Sequence, residues 1–268
     1  MTPDANPPLK PWWQPRLLDR GECWHTAIGP LSIYLYRFSS QWLLATQTLG
    51  DEADHSQLIS EEVQEIPEEL NLSRYVFTES PKGFVLRPRT LDRPLVVKTM
   101  QPVHVPPGEK VTFYISSPVT VEIDLVEPDT ILQETPVLRL SDTWFGPSTR
   151  VGELCYAART HARNSRADVP PRPHRVVTPV TIHNEGEQNL TIEKLSIPVP
   201  YLAIYGLDDG TLWSDPVTLA HSDGNALAGL KIDSRLPDGV SPEHRIAEPR
   251  VEMPRGSFVR AFTSIFSD

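Results

Sequence analysis

Proline constrains this chain more than any other residue. It occurs 28 times in 268 residues, about double its ~5% average usage. Each proline lacks a backbone donor and fixes φ, which opposes long helices and favours short strands, edges and turns. Between the prolines, apolar residues recur with a period of two. Leu31, Ile33 and Leu35 alternate with Ser32, Tyr34 and Tyr36 after a Gly29-Pro30 turn, and residues 41–46 (QWLLAT) supply an antiparallel partner. Val111, Phe113 and Ile115 mark one face of residues 110–116, and Val119, Val121, Ile123 and Leu125 alternate with polar neighbours. Residues 74–78 and 83–87 flank Ser80-Pro81-Lys82-Gly83, a hairpin-type connection. Leu190 and Ile192 lie in one phase and Leu195, Ile197 and Val199 in the other, which predicts a bulge or a change of sheet at Glu193-Lys194. Residues 202–205 and 211–213 flank an Asp208-Asp209-Gly210 turn, and residues 217–221 extend toward 227–233. The expected class is all-β, an antiparallel β-sandwich architecture of one large or two packed sandwiches with little helix.

The expected division is a flexible segment 1–10, a β-rich part 11–92, a sandwich part 93–235, either separate from 11–92 or fused with it, and a C-terminal extension 236–268. Two stretches break the strand pattern. Residues 51–70 hold eight acids and no lysine or arginine, and Leu58, Ile59, Val63, Ile66 and Leu70 are spaced more like a helix. Near the C-terminus Phe258, Val259, Phe262, Ile265 and Phe266 also have helical spacing, which predicts a short amphipathic helix. A net charge of −10 disfavours nonspecific nucleic-acid binding, because phosphates repel such a chain. No apolar run reaches the ~20 residues of a membrane span, and residues 1–10 lack a signal-peptide core. Cys23 and Cys155 read as reduced thiols, with one long-range disulfide as the alternative. The default compartment is the cytoplasm.

Residues 140–160 (LSDTWFGPSTRVGELCYAART joined at Leu140) hold the densest set of candidates. A hairpin with Asp142 opposite Glu153 would set Leu140 against Cys155 and place two carboxylates side by side. Close carboxylates raise one pKa and do acid–base work or hold a cation; Arg150 is near enough in sequence to neutralise them instead. Asp142, Glu153 and His161 are therefore the catalytic candidates, and Trp144, Phe145 and Arg150 binding candidates. Trp12-Trp13 forms either a hydrophobic clamp for the N-terminus or an exposed platform. Residues 159–175 carry five arginines and two histidines against one acid, Asp168. Such a loop docks a phosphate through guanidinium forks, with Arg163 and Arg172 as candidates, or else is solvated or paired internally. No P-loop, dinucleotide-binding glycine signature, HExxH, GxSxG or paired CxxC is present, and the eight histidines are scattered. No cofactor and no metal site is expected.

Several short segments carry a resemblance: PWWQP at 11–15, IGPL at 28–31, RPLVVK at 93–98, LSDTWFG at 140–146, GELCYA at 152–157, PVTIHN at 179–184 and LWSDPV at 212–217. Together they resemble the family called domain of unknown function 432, over about residues 10–220, with the WFG and GELCYA blocks the most specific. The resemblance implies no established activity, cofactor or catalytic residue, and its association with mechanosensitive-channel genes is a hint about partners. The expectation is a non-catalytic interaction or accessory module whose partner is another protein. The alternatives are a hydrolase-like enzyme at Asp142 and Glu153, and a carbohydrate-binding module presenting at least two exposed, coplanar rings from Trp12, Trp13, Trp144 or Trp213.

Overall fold

The alternation at residues 31–36 becomes the middle of a five-stranded antiparallel sheet. Leu31–Arg37 pairs with Cys23–Ile28 on one side and Gln41–Thr48 on the other, and Leu58–Val63 and Ser73–Val76 form the edges. The computed structural model describes residues 10–50, 57–127, 129–148, 150–222, 229–252 and 259–260. A four-stranded sheet in the order Arg16–Leu17, Gly83–Arg89, Thr120–Val126, Thr130–Pro136 completes the first sandwich. Its core includes Ile33, Leu35, Trp42, Phe84, Ile123 and Leu125, the residues that period two turns inward.

Two expectations change in this half. Residues 58–63 form an edge strand, with Glu61 and Glu62 opposite His25 and Trp24. Neither face of this strand is buried, so the spacing of its apolar residues does not report the backbone, and its acids guard the open edge. Residues 51–56 of the acidic stretch lie outside the described residues. Nor do residues 74–78 and 83–87 make a hairpin: Ser73–Val76 pairs with Gln41–Thr48, and Gly83–Arg89 with Thr120–Val126. Arg37, 2% exposed, explains the route. Its guanidinium donates to the carbonyls of Leu18, Ser80 and Pro81 at 3.0, 2.9 and 2.7 Å, and a loop tethered this way crosses between sheets instead of folding back.

The second sandwich pairs a mixed sheet with a larger one. The mixed sheet runs Ser141–Ser148, Val151–Thr160, Leu95–Val105, Leu190–Ile197. In the eight-stranded sheet Arg175–Asn184 is central, with Lys110–Pro118 antiparallel on one side and Leu212–Ser214 and Val217–His221 parallel on the other. Pro179 sits where that parallel neighbour is interrupted, so its missing donor breaks no ladder there. Ile204–Gly206, Arg245–Ala247, Gly229–Ile232 and Val259–Arg260 extend the sheet outward. Val97, Phe113, Val180, Ile182, Leu195 and Leu219 belong to the shared core. The fold is all-β with several antiparallel sheets; the pairing of Val151–Thr160 with Leu95–Val105 is parallel. The phase switch at Glu193-Lys194 is a bulge, with a register shift between Ile192 and Lys194, and Thr99 Oγ1 donates to the carbonyls of Ile192 and Glu193.

The two sandwiches share chain. Lys110–Pro118 lies in the eight-stranded sheet and Thr120–Val126 in the first sandwich, with only Val119 between them. Val119 is fully buried; its N–H donates to the His174 carbonyl and its carbonyl accepts from Val137. At the N-terminus the tryptophan pair is a clamp: both rings are 8% exposed and meet edge to face at 5.8 Å. Trp12 Nε1 donates to the Pro173 carbonyl at 2.9 Å, and Trp13 lies so close to Gly206 that a Cβ there would stand 2.3 Å from the ring. Near the other end, Pro242–His244 forms a 3-10 turn and Arg245–Ala247 pairs with Ile204–Gly206. Val259–Arg260 is a strand; the other residues of the expected terminal helix lie outside the described residues.

Candidate functional site

Residues 140–160 form the expected hairpin in a different register. Asp142 is opposite Tyr156, and Glu153 is opposite Phe145. Gly146 and Pro147 are absorbed in an irregularity between Phe145 and Ser148, and the chain turns between Ser148 and Val151. The offset is odd, which moves Asp142 and Glu153 to opposite faces of the sheet. Asp142 pairs with Arg93 at 3.1 Å, and Tyr156 donates to Asp92 at 2.8 Å. Glu153 shares its face with Phe145 and Cys155, and burial pushes its carboxyl up. Cys155 is fully buried beside Val96 and Phe145, and burial, then the Glu153 charge, pushes its thiol up to about 12. His161 is exposed beyond the end of Val151–Thr160. The acid pair is not assembled.

The two rings of this hairpin separate as well. Phe145 is 6% exposed and Trp144 50%. Trp144 lies across from Leu154, itself exposed, and its indole leaves no room for a Cβ at Gly152, which would stand 2.6 Å from Nε1. Trp12, Trp13 and Trp213 are buried, so the named tryptophans offer no second exposed ring to accompany Trp144.

Polar groups converge instead on the outer face of the eight-stranded sheet. Along Arg175–Asn184, Val176 turns to the core of the first sandwich and Val180 and Ile182 to that of the second, which sends Arg175, Val177, Pro179 and Thr181 outward. Register then brings Ser116, Tyr114 and Thr112 beside Val177, Pro179 and Thr181, and Thr218 and Lys231 beyond them. Residues 163–172 and 233–240 wall this face. Arg166 bridges the walls: its guanidinium lies 4.2 Å from the Trp213 ring centre and donates to the Asp238 carbonyl at 2.6 Å.

On one side of Arg166 is a groove of about 480 Å³ lined by Lys110, Thr112, Tyr114, Thr181, Lys231 and Arg235, among others. On the other is a cavity of about 120 Å³ lined by Ser116, Arg172, Arg175 and Trp213. A backbone hydrogen bond closes the turn from Arg172 to Arg175, and both side chains line the cavity. Arg175 Nε donates to Ser116 Oγ at 2.8 Å, and its Nη2 donates to the Ser116 carbonyl. Burial, then the Arg172 charge, holds the Arg175 guanidinium down to about 10. Lys110, Arg166, Arg172, Arg175, Lys231 and Arg235 make no ion pair among the described residues. Three carboxylates line the same surface. Asp209 accepts from Thr211, Asp233 accepts from Thr218, and Asp238 offers its backbone carbonyl to Arg166.

Of the binding candidates, Arg172 enters this surface, and Arg163 touches it through its carbonyl, which accepts from Tyr114 N–H. Trp144, Phe145 and Arg150 belong to the mixed-sheet hairpin. The loop arginines were visible as a charge run; Lys110, Lys231 and Arg235 were not, since strand register and the wall after Gly229–Ile232 make them neighbours. Among the described residues no group of three or more His, Cys, Asp and Glu side chains gathers as metal ligands would, and no helix is long and apolar enough to cross a membrane.

No curated protein and no solved structure matches the chain. The family model described as "Protein of unknown function (DUF432)" matches residues 12–266, and the chain belongs to that family.

Proposed function

We propose that the protein is a non-catalytic binding module whose recognition surface is the outer face of the eight-stranded sheet, and that it receives an anionic ligand or an acidic segment of a partner protein. One observation carries this reading: six cationic side chains line a concave surface and make no ion pair with a carboxylate among the described residues, in a chain of net charge −10. Unpaired like charges held together repel, and an anion relieves that cost. The chain's overall negative charge opposes a long polyanion such as duplex DNA and supports a compact ligand. A reducing cytoplasmic setting fits the two cysteines, which are both free and buried.

Titration calorimetry with hexaglutamate, at low and moderate salt, tests the reading. Saturable binding that weakens with salt and is abolished in the double variant Lys231→Glu/Arg235→Glu is expected. Equal heats from wild type and variant would remove the groove as the recognition surface.

A further inference from the structure

We propose that the cavity beside Trp213 is a phosphoryl-binding subsite, and that the ligand of the groove is a small soluble organic phosphate. The inference rests on the groove being a binding surface and adds the chemistry of its occupant. Arg175 is the centre of the subsite. Its Nε and one Nη2 hydrogen are committed to Ser116, which fixes the plane of the guanidinium. Nη1 has no partner among the described residues. A fork fixed in this way matches the oxygens of a phosphoryl group better than a mobile lysine does.

Arg172, from the same turn, supplies a second guanidinium that makes no hydrogen bond among the described residues, and Arg166 stands where the cavity meets the groove. Three cations and one carboxylate line the cavity. That carboxylate, Asp209, is turned to Thr211, whose N–H and hydroxyl both donate to it. The space, about 120 Å³ and open on one side, suits one tetrahedral oxyanion and not the rest of an organic molecule. The remainder lies past Arg166 in the larger groove. There Thr112, Thr181 and Thr218 line the floor and Lys110 and Lys231 flank it, a lining suited to a hydroxylated chain. The hydroxyls of Thr112 and Thr181 already meet at 2.9 Å, which leaves one of them a hydrogen to donate and both a lone pair to accept.

The experiment is titration of the full chain with glycerol 3-phosphate, hexaglutamate and vesicles containing phosphatidic acid, repeated with Arg175→Met and Arg172→Gln after their folding is checked by circular dichroism. The expected result is one saturable site for glycerol 3-phosphate, weakened at least tenfold in Arg172→Gln and more in Arg175→Met, with hexaglutamate binding less affected. Binding of hexaglutamate without glycerol 3-phosphate would overturn the phosphoryl subsite and leave the anion-binding groove standing. Binding of neither would overturn both. Capture by phosphatidic acid vesicles alone would overturn the soluble ligand in favour of a lipid headgroup. Should Arg175→Met not fold, unchanged affinity in Arg172→Gln is enough to overturn the subsite.

Discussion

Two sheet faces in this molecule are rich in arginine, and they treat it differently. On the outer face of the four-stranded sheet in the first sandwich, each arginine has its acid. Arg87 lies 2.6 Å from Asp124, Arg89 lies 3.8 Å from Glu122, and Arg250 binds Glu134. Arg250 also donates to the Thr90 carbonyl and to Thr120 Oγ1, so it straps the C-terminal segment onto that face. On the outer face of the eight-stranded sheet the cations have walls and a floor but, among the described residues, no ion-paired acid. One face is closed electrostatically and serves the fold. The other is left open, which is a cost to folding that a ligand can offset.

Mutation should separate the two faces cleanly. Arg250→Ala has the largest expected effect, a loss of about 2–3 kcal/mol, because it leaves Glu134 without its cation and the Thr90 carbonyl without the Arg250 donor. Urea unfolding measures it, and a loss under about 1 kcal/mol would end the claim that this face serves stability. Glu134→Gln comes next, at about 1–2 kcal/mol near neutral pH. Burial pushes the Glu134 carboxyl up, but hydrogen bonds from Arg250 and Thr120 and the Arg250 charge outweigh it and leave the group below its ordinary value. A depressed folded pKa gives stability that is present above the unfolded value of about 4.3 and is lost as pH falls through the folded value. Wild type and Glu134→Gln should therefore converge in stability as pH falls below about 4, and parallel acid limbs would count against the assignment.

On the open face the effects should be small. Arg175→Met should change stability by no more than about 1 kcal/mol, with loss of the Ser116 bonds set against relief of burial and of Arg172 repulsion. Arg172→Gln should stay within about 0.5 kcal/mol. Thermal unfolding of both reads this directly. Losses as large as that of Arg250→Ala would make the groove cations structural, and the contrast between the faces would vanish.

Much of this arrangement was legible in the sequence where burial imposes a period. Residues 31–36 and 110–116 gave their strands, and the phase change at Glu193-Lys194 gave its bulge, because a strand with one buried face has one solution. Legibility failed where partners are chosen over long range. Nothing local tells Gly83–Arg89 to pair with Thr120–Val126 in preference to its neighbour, and the deciding group is Arg37, far away in sequence. The hairpin of Asp142 was missed by an odd number of residues because Gly146 and Pro147 look like a turn and act as an irregularity within a strand. The groove was half visible: Arg172 stands in an obvious basic run, whereas Lys110 and Lys231 become its neighbours only through the ladder on Arg175–Asn184.

The passage through Val119 bears on how the chain reaches this state. The first sandwich needs Thr120–Pro136 to finish its second sheet, yet the residues just before them, Lys110–Pro118, wait for Arg175–Asn184. During synthesis from the N-terminus the strands of the first sandwich are complete at Pro136, while Lys110–Pro118 stays without its partner until Arg175–Asn184 has emerged. Contacts so distant in sequence make for slow folding, and strands left waiting are open to wrong pairing. The molecule should therefore unfold in one transition, and fragments cut near residue 92 should associate to fold better than either folds alone.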